Sequence, residues 1–194
     1  LVYNGALKFK IIEHDIKKFP KTKTKIMLNI ATPDTAFEKS FLPNDGVGLA
    51  REEFIIASDI GIHPNALIDY KKIKNNIRVN PLLKNFNPRQ SASIIKEIDK
   101  KTIGYKNKTQ FYIDKLSYGI AKIAAAFYPK PVIVRFSDFK TNEYRTLIGG
   151  ELYEPLEENP MLGWRGASRY YHPNFAAAFI LELKAIKKVR EEMG

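Results

Sequence analysis

The chain has 194 residues, 44% hydrophobic and 12% aromatic, which suits one packed domain and excludes a largely disordered segment. Its formal charge of +11 admits nucleic acid or anionic small molecules as ligands. With no cysteine, disulfides, thiolate metal sites and a cysteine nucleophile are excluded within it.

In chain order, residues 1–20 include "LKFKIIEHDI", a partly alternating, β-like lead-in that ends in the breaker "KKFPKTKTK". This segment reads as a linker from an upstream domain. The opening "LVYNGALKFK" carries neither an initiator Met nor a secretory signal, so a piece of a larger protein is expected. "KIMLNIA" (Lys25 to Ala31) is a short apolar run of buried-strand length. "TPDTAFEKSF" follows as a helix, with Thr32 as N-cap, Pro33 at the first position and Asp34 near the positive end. "LPNDGVGLAREEFIIAS" repeats the step as a turn at Asn44-Asp45-Gly46, a strand "VGLA" and a helix from "REEFIIAS".

Residues 71–108 are polar and Lys/Asn-rich, predicting an irregular insertion. "TQFYIDKLSYGIAKIAAAFYP" places Ile113, Leu116, Ile120, Ile123 and Phe127 three and four apart, an amphipathic helix closed by Pro129. "PVIVRFSDF" (Pro131 to Phe139) is the strongest strand. A long irregular stretch over 140–173 precedes a closing helix in "PNFAAAFILELKAIKKVREEMG", whose apolar side is traced by Phe175, Phe179, Leu183, Ile186 and Val189. Short strands alternating with helices predict an α/β protein with parallel strands. Three strands are too few to close a (β/α)8 barrel of about 250 residues, leaving a small open sheet or the front part of a barrel.

The Lys residues are scattered, as in "YKKIK" and "KEIDKK", and many have acidic neighbours. They read as a solvated surface, so no nucleic acid is expected as partner, a basic nucleic-acid-binding domain being the alternative. Apolar runs such as "IAKIAAAF" fall far short of the ~20 residues a bilayer requires, so no membrane is expected. Three scattered histidines (His14, His63, His172) make no metal cluster. His63 and His172, each before a Pro, read as turn residues.

Three arginines share one address. Arg51 follows "VGLA", Arg135 ends "VIV", and Arg165 lies in the loop beyond. Ligands of parallel α/β folds bind beyond the carboxyl ends of strands, and convergent guanidiniums suit a phosphate or carboxylate. Glu52, Glu53 and Asp138 are alternative partners that would make these arginines surface ion pairs. Asp138 and Glu143 could ligate a metal or orient the arginines. Trp164 and Tyr170 could stack on a ligand, though an anchoring role for the loop is the simpler reading. No nucleotide-binding or nucleophile-elbow motif (G-x-x-x-x-G-K-S/T, G-x-G-x-x-G, G-x-S-x-G) is present.

"NDGVGLAREEFI", "PVIVRFSDFKTNEYRTLIGGELYEPLEENPMLGWRGASRY" and "FILELKAIKKVREEMG" together closely resemble the phosphoenolpyruvate synthase (pyruvate, water dikinase) family. The resemblance is to the beginning of its C-terminal phosphoenolpyruvate/pyruvate-binding domain. Pyruvate phosphate dikinase and enzyme I of the sugar phosphotransferase system share shorter versions of these patterns. The resemblance implies a (β/α)8 barrel of which "KIMLNIA", "VGLAR" and "VIVRFSD" are the first three strands. Residues 21–194 would then be its N-terminal portion, joined through 1–20 to a phosphohistidine domain. It further implies that Arg51, Arg135 and Arg165 hold phosphoenolpyruvate or pyruvate; Asp138, Asn159 and Trp164 are candidate supporting residues. The Mg2+ ligands and the proton-donating Cys are implied to lie on later strands outside this chain, and ATP is used by a separate domain. A cytoplasmic enzyme of gluconeogenesis is implied, and a fragment inactive alone whose strand edges favour self-association.

Overall fold

A computed structural model describes residues 4–13, 15, 20, 22–77, 79, 88–157, 159 and 163–194. His14, Pro160 and parts of the "KKFPKTKTK" and 71–108 segments lie outside the described residues. Three strands, β1 (Leu28–Ile30), β2 (Val47–Arg51) and β3 (Val132–Arg135), pair in parallel in the order β1-β2-β3. Ile30 is opposite Ala50, Ala50 opposite Val134 and Arg51 opposite Arg135. Parallel pairing requires a crossover between strands, and helices supply it here.

The strand starts are fixed by one turn. Asn44 Oδ1 accepts from Gly46 N at 2.9 Å, and Asp45 Oδ2 accepts from Ile26 N at 2.7 Å. Gly46 has φ 123, and a Cβ there would come within 2.3 Å of the Pro131 carbonyl oxygen. That carbonyl accepts from Val47 N at 2.9 Å. Only glycine gives this positive φ and close backbone approach without strain.

After β1 the chain makes a 3-10 turn, Pro33–Thr35, and then α1 (Ala36–Ser40). Thr32 is extended as an N-cap should be, but its side chain makes no capping hydrogen bond. Its Oγ1 instead lies 3.2 Å from Thr35 Oγ1. After β2, α2 (Glu52–Ile55) runs on as a π-helical turn to Ile60 and stops at left-handed Gly61. Two short helices follow, α3 (Pro64–Ile68) and α4 (Tyr70–Lys74).

The expected irregular insertion over 71–108 contains a regular element, α5 (Pro88–Lys101). It is held by Ile94 and Ile98, four residues apart and both in the core; its polar composition concealed that two-residue anchor. The long helix α6 (Lys108–Phe127) matches its periodicity, and Asn107 caps it by accepting from Thr109 N. The stretch 140–173 is also more regular than its sequence suggests, holding α7 (Thr141–Thr146), a 3-10 turn at Gly150–Leu152 and α8 (Ala167–Tyr170).

The closing helix α9 (Ala176–Glu192) packs along α6. Its buried face is Ala178, Leu181, Glu182 and Ala185, whereas Leu183 is 42% exposed. Of the expected apolar side, Phe175 is buried and Phe179, Ile186 and Val189 pack against the core, so only Leu183 departs from it, displaced where small alanines and a hydrogen-bonded glutamate take the tightest contacts. Residues 4–13 form no strand, and Leu7, Phe9, Ile11 and Ile12 are exposed there with no neighbouring strand to pair.

Candidate functional site

Arg51 ends β2 and Arg135 ends β3, and the parallel register sets them opposite each other. Both belong to one rim at the carboxyl ends of the strands. The loop after α7 returns to this rim and adds Arg165. All three arginines line one cavity of about 450 Å³ together with Glu53, Asp138, Lys140 and Glu143.

Two of the arginines are already paired. Arg135 Nη2 donates to Glu53 Oε1 at 2.5 Å, and Arg165 grips Asp138 through Nε to Oδ1 at 3.0 Å and Nη2 to Oδ2 at 2.8 Å. The Arg165 hydrogen bond holds the Asp138 carboxyl below its ordinary range. Glu53 Oε1 also accepts from Asp138 N at 2.8 Å, so one carboxylate ties Arg135 to the residue that holds Arg165. Among the described residues no ion pair engages Arg51; its guanidinium sits over the Phe54 ring at 5.7 Å. Of the three arginines, Arg135 and Arg165 are thus held by carboxylates, and Arg51 has no carboxylate partner among the described residues.

Beneath the rim lies a buried acidic frame. Glu182 accepts from Ser137 Oγ at 2.6 Å and from Ser137 N at 3.2 Å. Ser137 and Asp138, successive residues after β3, therefore hang from two carboxylates on different helices. Glu52 is wholly buried beside Glu182. Burial first, then the Glu182 charge, push its carboxyl well above the ordinary range, so it is a neutral acid. Among the described residues no well-formed hydrogen bond reaches its oxygens, so its neutrality rests on burial and on the nearby Glu182 charge. Burial also raises Glu182 itself to about 7.

The Arg165 loop is held from behind. Arg169 and Glu154 are both 1% exposed and paired, Nη1 to Oε1 at 2.5 Å and Nη2 to Oε2 at 2.9 Å. Arg169 also donates to the Trp164 carbonyl from Nε at 3.1 Å and Nη2 at 2.8 Å. Buried His63 accepts at Nδ1 from Asn65 N, which leaves Nε2 to donate to Glu154 Oε1 at 3.1 Å. Burial lowers the His63 pKa, in keeping with a neutral ring. The His63 and Arg169 hydrogen bonds outweigh burial at Glu154 and keep its carboxyl below the ordinary range.

His63 is the turn residue its Pro suggested, and also a core residue that composition did not reveal. His172 is the simpler turn, accepting at Nδ1 from Asn174 N. Trp164 packs partly buried against the core, its Nε1 donating to the Ser168 carbonyl, as a loop anchor would. Tyr170 donates to the Ser137 carbonyl at 2.7 Å. Asn159 is exposed and does not line the cavity. Glu143 accepts from Lys140 N at 2.7 Å, closing the first turn of α7. Among the described residues no group of His, Asp and Glu is disposed to hold a metal ion, and both Glu53 and Asp138 are committed to arginines. No described helix is long and apolar enough to cross a membrane.

Glu154, Arg169, Ser137, Glu182 and the acidity of Glu52 were not singled out by the sequence. Only Glu182 left a signal, a lone acid four residues after Ala178 and three before Ala185, on the buried face.

Residues 11–194 match the family described as PEP-utilising enzyme, PEP-binding domain. The chain is 51% identical to phosphoenolpyruvate synthase of Aquifex aeolicus, with all of this chain and 26% of that protein covered. It is 51% identical to the Deinococcus radiodurans phosphoenolpyruvate synthase, with 100% of this chain and 23% of that one covered. With the Escherichia coli protein of the same name it shares 46% over all of this chain and 22% of that one. The chain spans about a quarter of the length of the curated relatives it matches.

Proposed function

The chain belongs to the PEP-utilising enzymes through their PEP-binding domain, and from that premise we propose that it supplies the phosphoenolpyruvate- and pyruvate-holding arginines of a phosphoenolpyruvate synthase. The carrying observation is that Arg51, Arg135 and Arg165, from two strand ends and a distant loop, line one cavity. The reaction would convert ATP, pyruvate and water to phosphoenolpyruvate, AMP and phosphate through a phosphohistidine on an upstream domain. The pyruvate enolate oxygen attacks the phosphohistidine phosphorus, an O–P bond forms and the P–N bond breaks. The arginine forks hold the carboxylate and the charge gathering on the equatorial phosphoryl oxygens.

On this reading the Mg2+ ligands, like the proton donor, lie outside this chain. The chain alone is then inactive. The same reading implies a cytoplasmic enzyme. A pyruvate phosphate dikinase or phosphotransferase enzyme I is the nearer alternative, and the "SDFKTNEY…LIGGELYEP" run favours the synthase. A nucleic-acid role has no support beyond the charge.

For the fold, we propose that the sheet is the first three strands of a (β/α)8 barrel. The consecutive order β1-β2-β3 supports this, since doubly wound sheets reverse order at a switch point. So does an apolar groove of about 820 Å³ along the β3 edge, between α6 and α9, where Val132, Val134, Phe136 and Ile186 await cover. The test is an assay of the full-length enzyme with ATP and pyruvate. Phosphoenolpyruvate, AMP and phosphate formed in equal amounts are expected; failure to use pyruvate would overturn the reading.

A further inference from the structure

Resting on the reading of the rim as the phosphoenolpyruvate site, we propose that the buried Glu154–Arg169 pair is a positioning device for Arg165. The Trp164 carbonyl that Arg169 grips belongs to the same peptide group as the Arg165 nitrogen. Two guanidinium donors on one carbonyl, Nε at 3.1 Å and Nη2 at 2.8 Å, fix the orientation of that peptide plane. On the other side of Arg165 the chain turns at Gly166, with φ 61, and the Gly166 carbonyl accepts from Arg169 N at 2.9 Å. Arg165 is thus held in a short bracket that Arg169 closes with both backbone and side chain.

Arg169 itself has no freedom to drift. Its guanidinium lies 4.1 Å from the Trp164 ring centre, 4.5 Å from Tyr144 and 5.0 Å from Phe175. Glu154 occupies the far edge of the fork and is fixed in turn by His63 from α3's start. The far end of the Arg165 side chain is bound by Asp138. The guanidinium at the rim is therefore located by two anchors, one on its backbone and one on its tip.

Stability alone is a weak reason for such a pair, because buried ion pairs are often replaceable by apolar residues without loss. What an apolar substitute lacks is directional donors on the Trp164 carbonyl. Lysine, a point charge without a planar fork, would also lack them.

The test is a double-mutant cycle in the full-length enzyme, read as the phosphoenolpyruvate Kd by calorimetry. Arg169→Lys and Glu154→Gln should each weaken binding about tenfold. Added to Arg165→Ala, neither should weaken it further, since the residue they position is gone. A merely structural role predicts a lower melting temperature with unchanged Kd in the folded protein, or effects that add to Arg165→Ala; either result overturns the proposal. Should Glu154→Gln not fold, Arg169→Lys and Trp164→Phe complete the same cycle. If Arg165→Ala itself leaves Kd unaltered, Arg165 does not hold phosphoenolpyruvate and this proposal falls, while the reading of the rim then rests on Arg51 and Arg135 alone.

Discussion

Arg51 and Arg135 are register partners across neighbouring parallel strands, which places their backbones about 5 Å apart. Two cations so close would repel unless separated, and the structure parts them chemically. Arg135 is tied to Glu53, while Arg51 lies over the Phe54 ring. On the proposed role, an incoming anion would meet the pair asymmetrically, one side without an ion pair among the described residues and the other exchanging a carboxylate.

Replacing a guanidinium at this rim should be costly to function and cheap to folding. In the full-length enzyme Arg135→Ala or Arg165→Ala should nearly abolish turnover, a loss of ~2–5 kcal/mol in transition-state binding. The melting temperature should hardly move, since Glu53 and Asp138 keep solvent or backbone partners. Steady-state kinetics with circular dichroism as the folding control checks this, and near-normal activity in either variant would remove that arginine from the site.

The buried acids predict a pH dependence of stability. Glu182 titrates at about 7 rather than 4.5, so the folded chain retains a proton that the unfolded chain has released between those values. Stability contributed by the neutral acid is complete below the unfolded pKa and is lost as pH rises through the raised folded pKa. Glu52→Gln replaces an acid that burial and the Glu182 charge keep protonated with a side chain that is neutral at every pH. In urea titrations at about pH 5 and about pH 8, the variant should gain on the natural chain as pH rises. A difference independent of pH would show that Glu52 is not held neutral by its surroundings.

Gly46→Ala should destabilise the sheet by at least ~2 kcal/mol. The new methyl would meet the Pro131 carbonyl at 2.3 Å while the backbone holds φ 123, separating the starts of β2 and β3. Chemical denaturation measures the loss; a change of a few tenths would mean the turn relaxes freely.

This chain on its own should self-associate. The β3 edge and the apolar groove beside it are surfaces of the kind that pair. Sedimentation equilibrium should give a mass rising with concentration, and a strict monomer at high micromolar concentration would argue that the edge is protected.

Much of the frame was legible because periodicity and strand length are local properties. Ile113 through Phe127 announced α6 by spacing, and the β-branched run Val132–Val134 announced β3. The arginine rim was legible by combining strand ends with the parallel-sheet rule. The rest depended on distant partners. Glu154 and Arg169 meet at a sequence separation of fifteen residues, and Ser137 meets Glu182 at a separation of forty-five; no local pattern encodes either encounter. α5 was hidden because two isoleucines in a polar segment suffice to dock it. Leu183 misled because a helix buries the face with the best partners, including a glutamate, rather than the greasiest one.

The pairing of Arg135 and Arg165 with Glu53 and Asp138 has a kinetic corollary. Counting Arg51, Arg135, Arg165 and Lys140 against Glu53, Asp138 and Glu143, four positive and three negative charges leave the mouth at +1. Seen from solution it is almost neutral. The long-range pull on an anion comes instead from the +11 of the whole chain, carried mainly by lysines spread over its surface. On the proposed role, capture and retention would be divided: salt, by screening the diffuse lysine field, would slow arrival, while the departure rate would be governed by how well the arginine forks close on what has arrived.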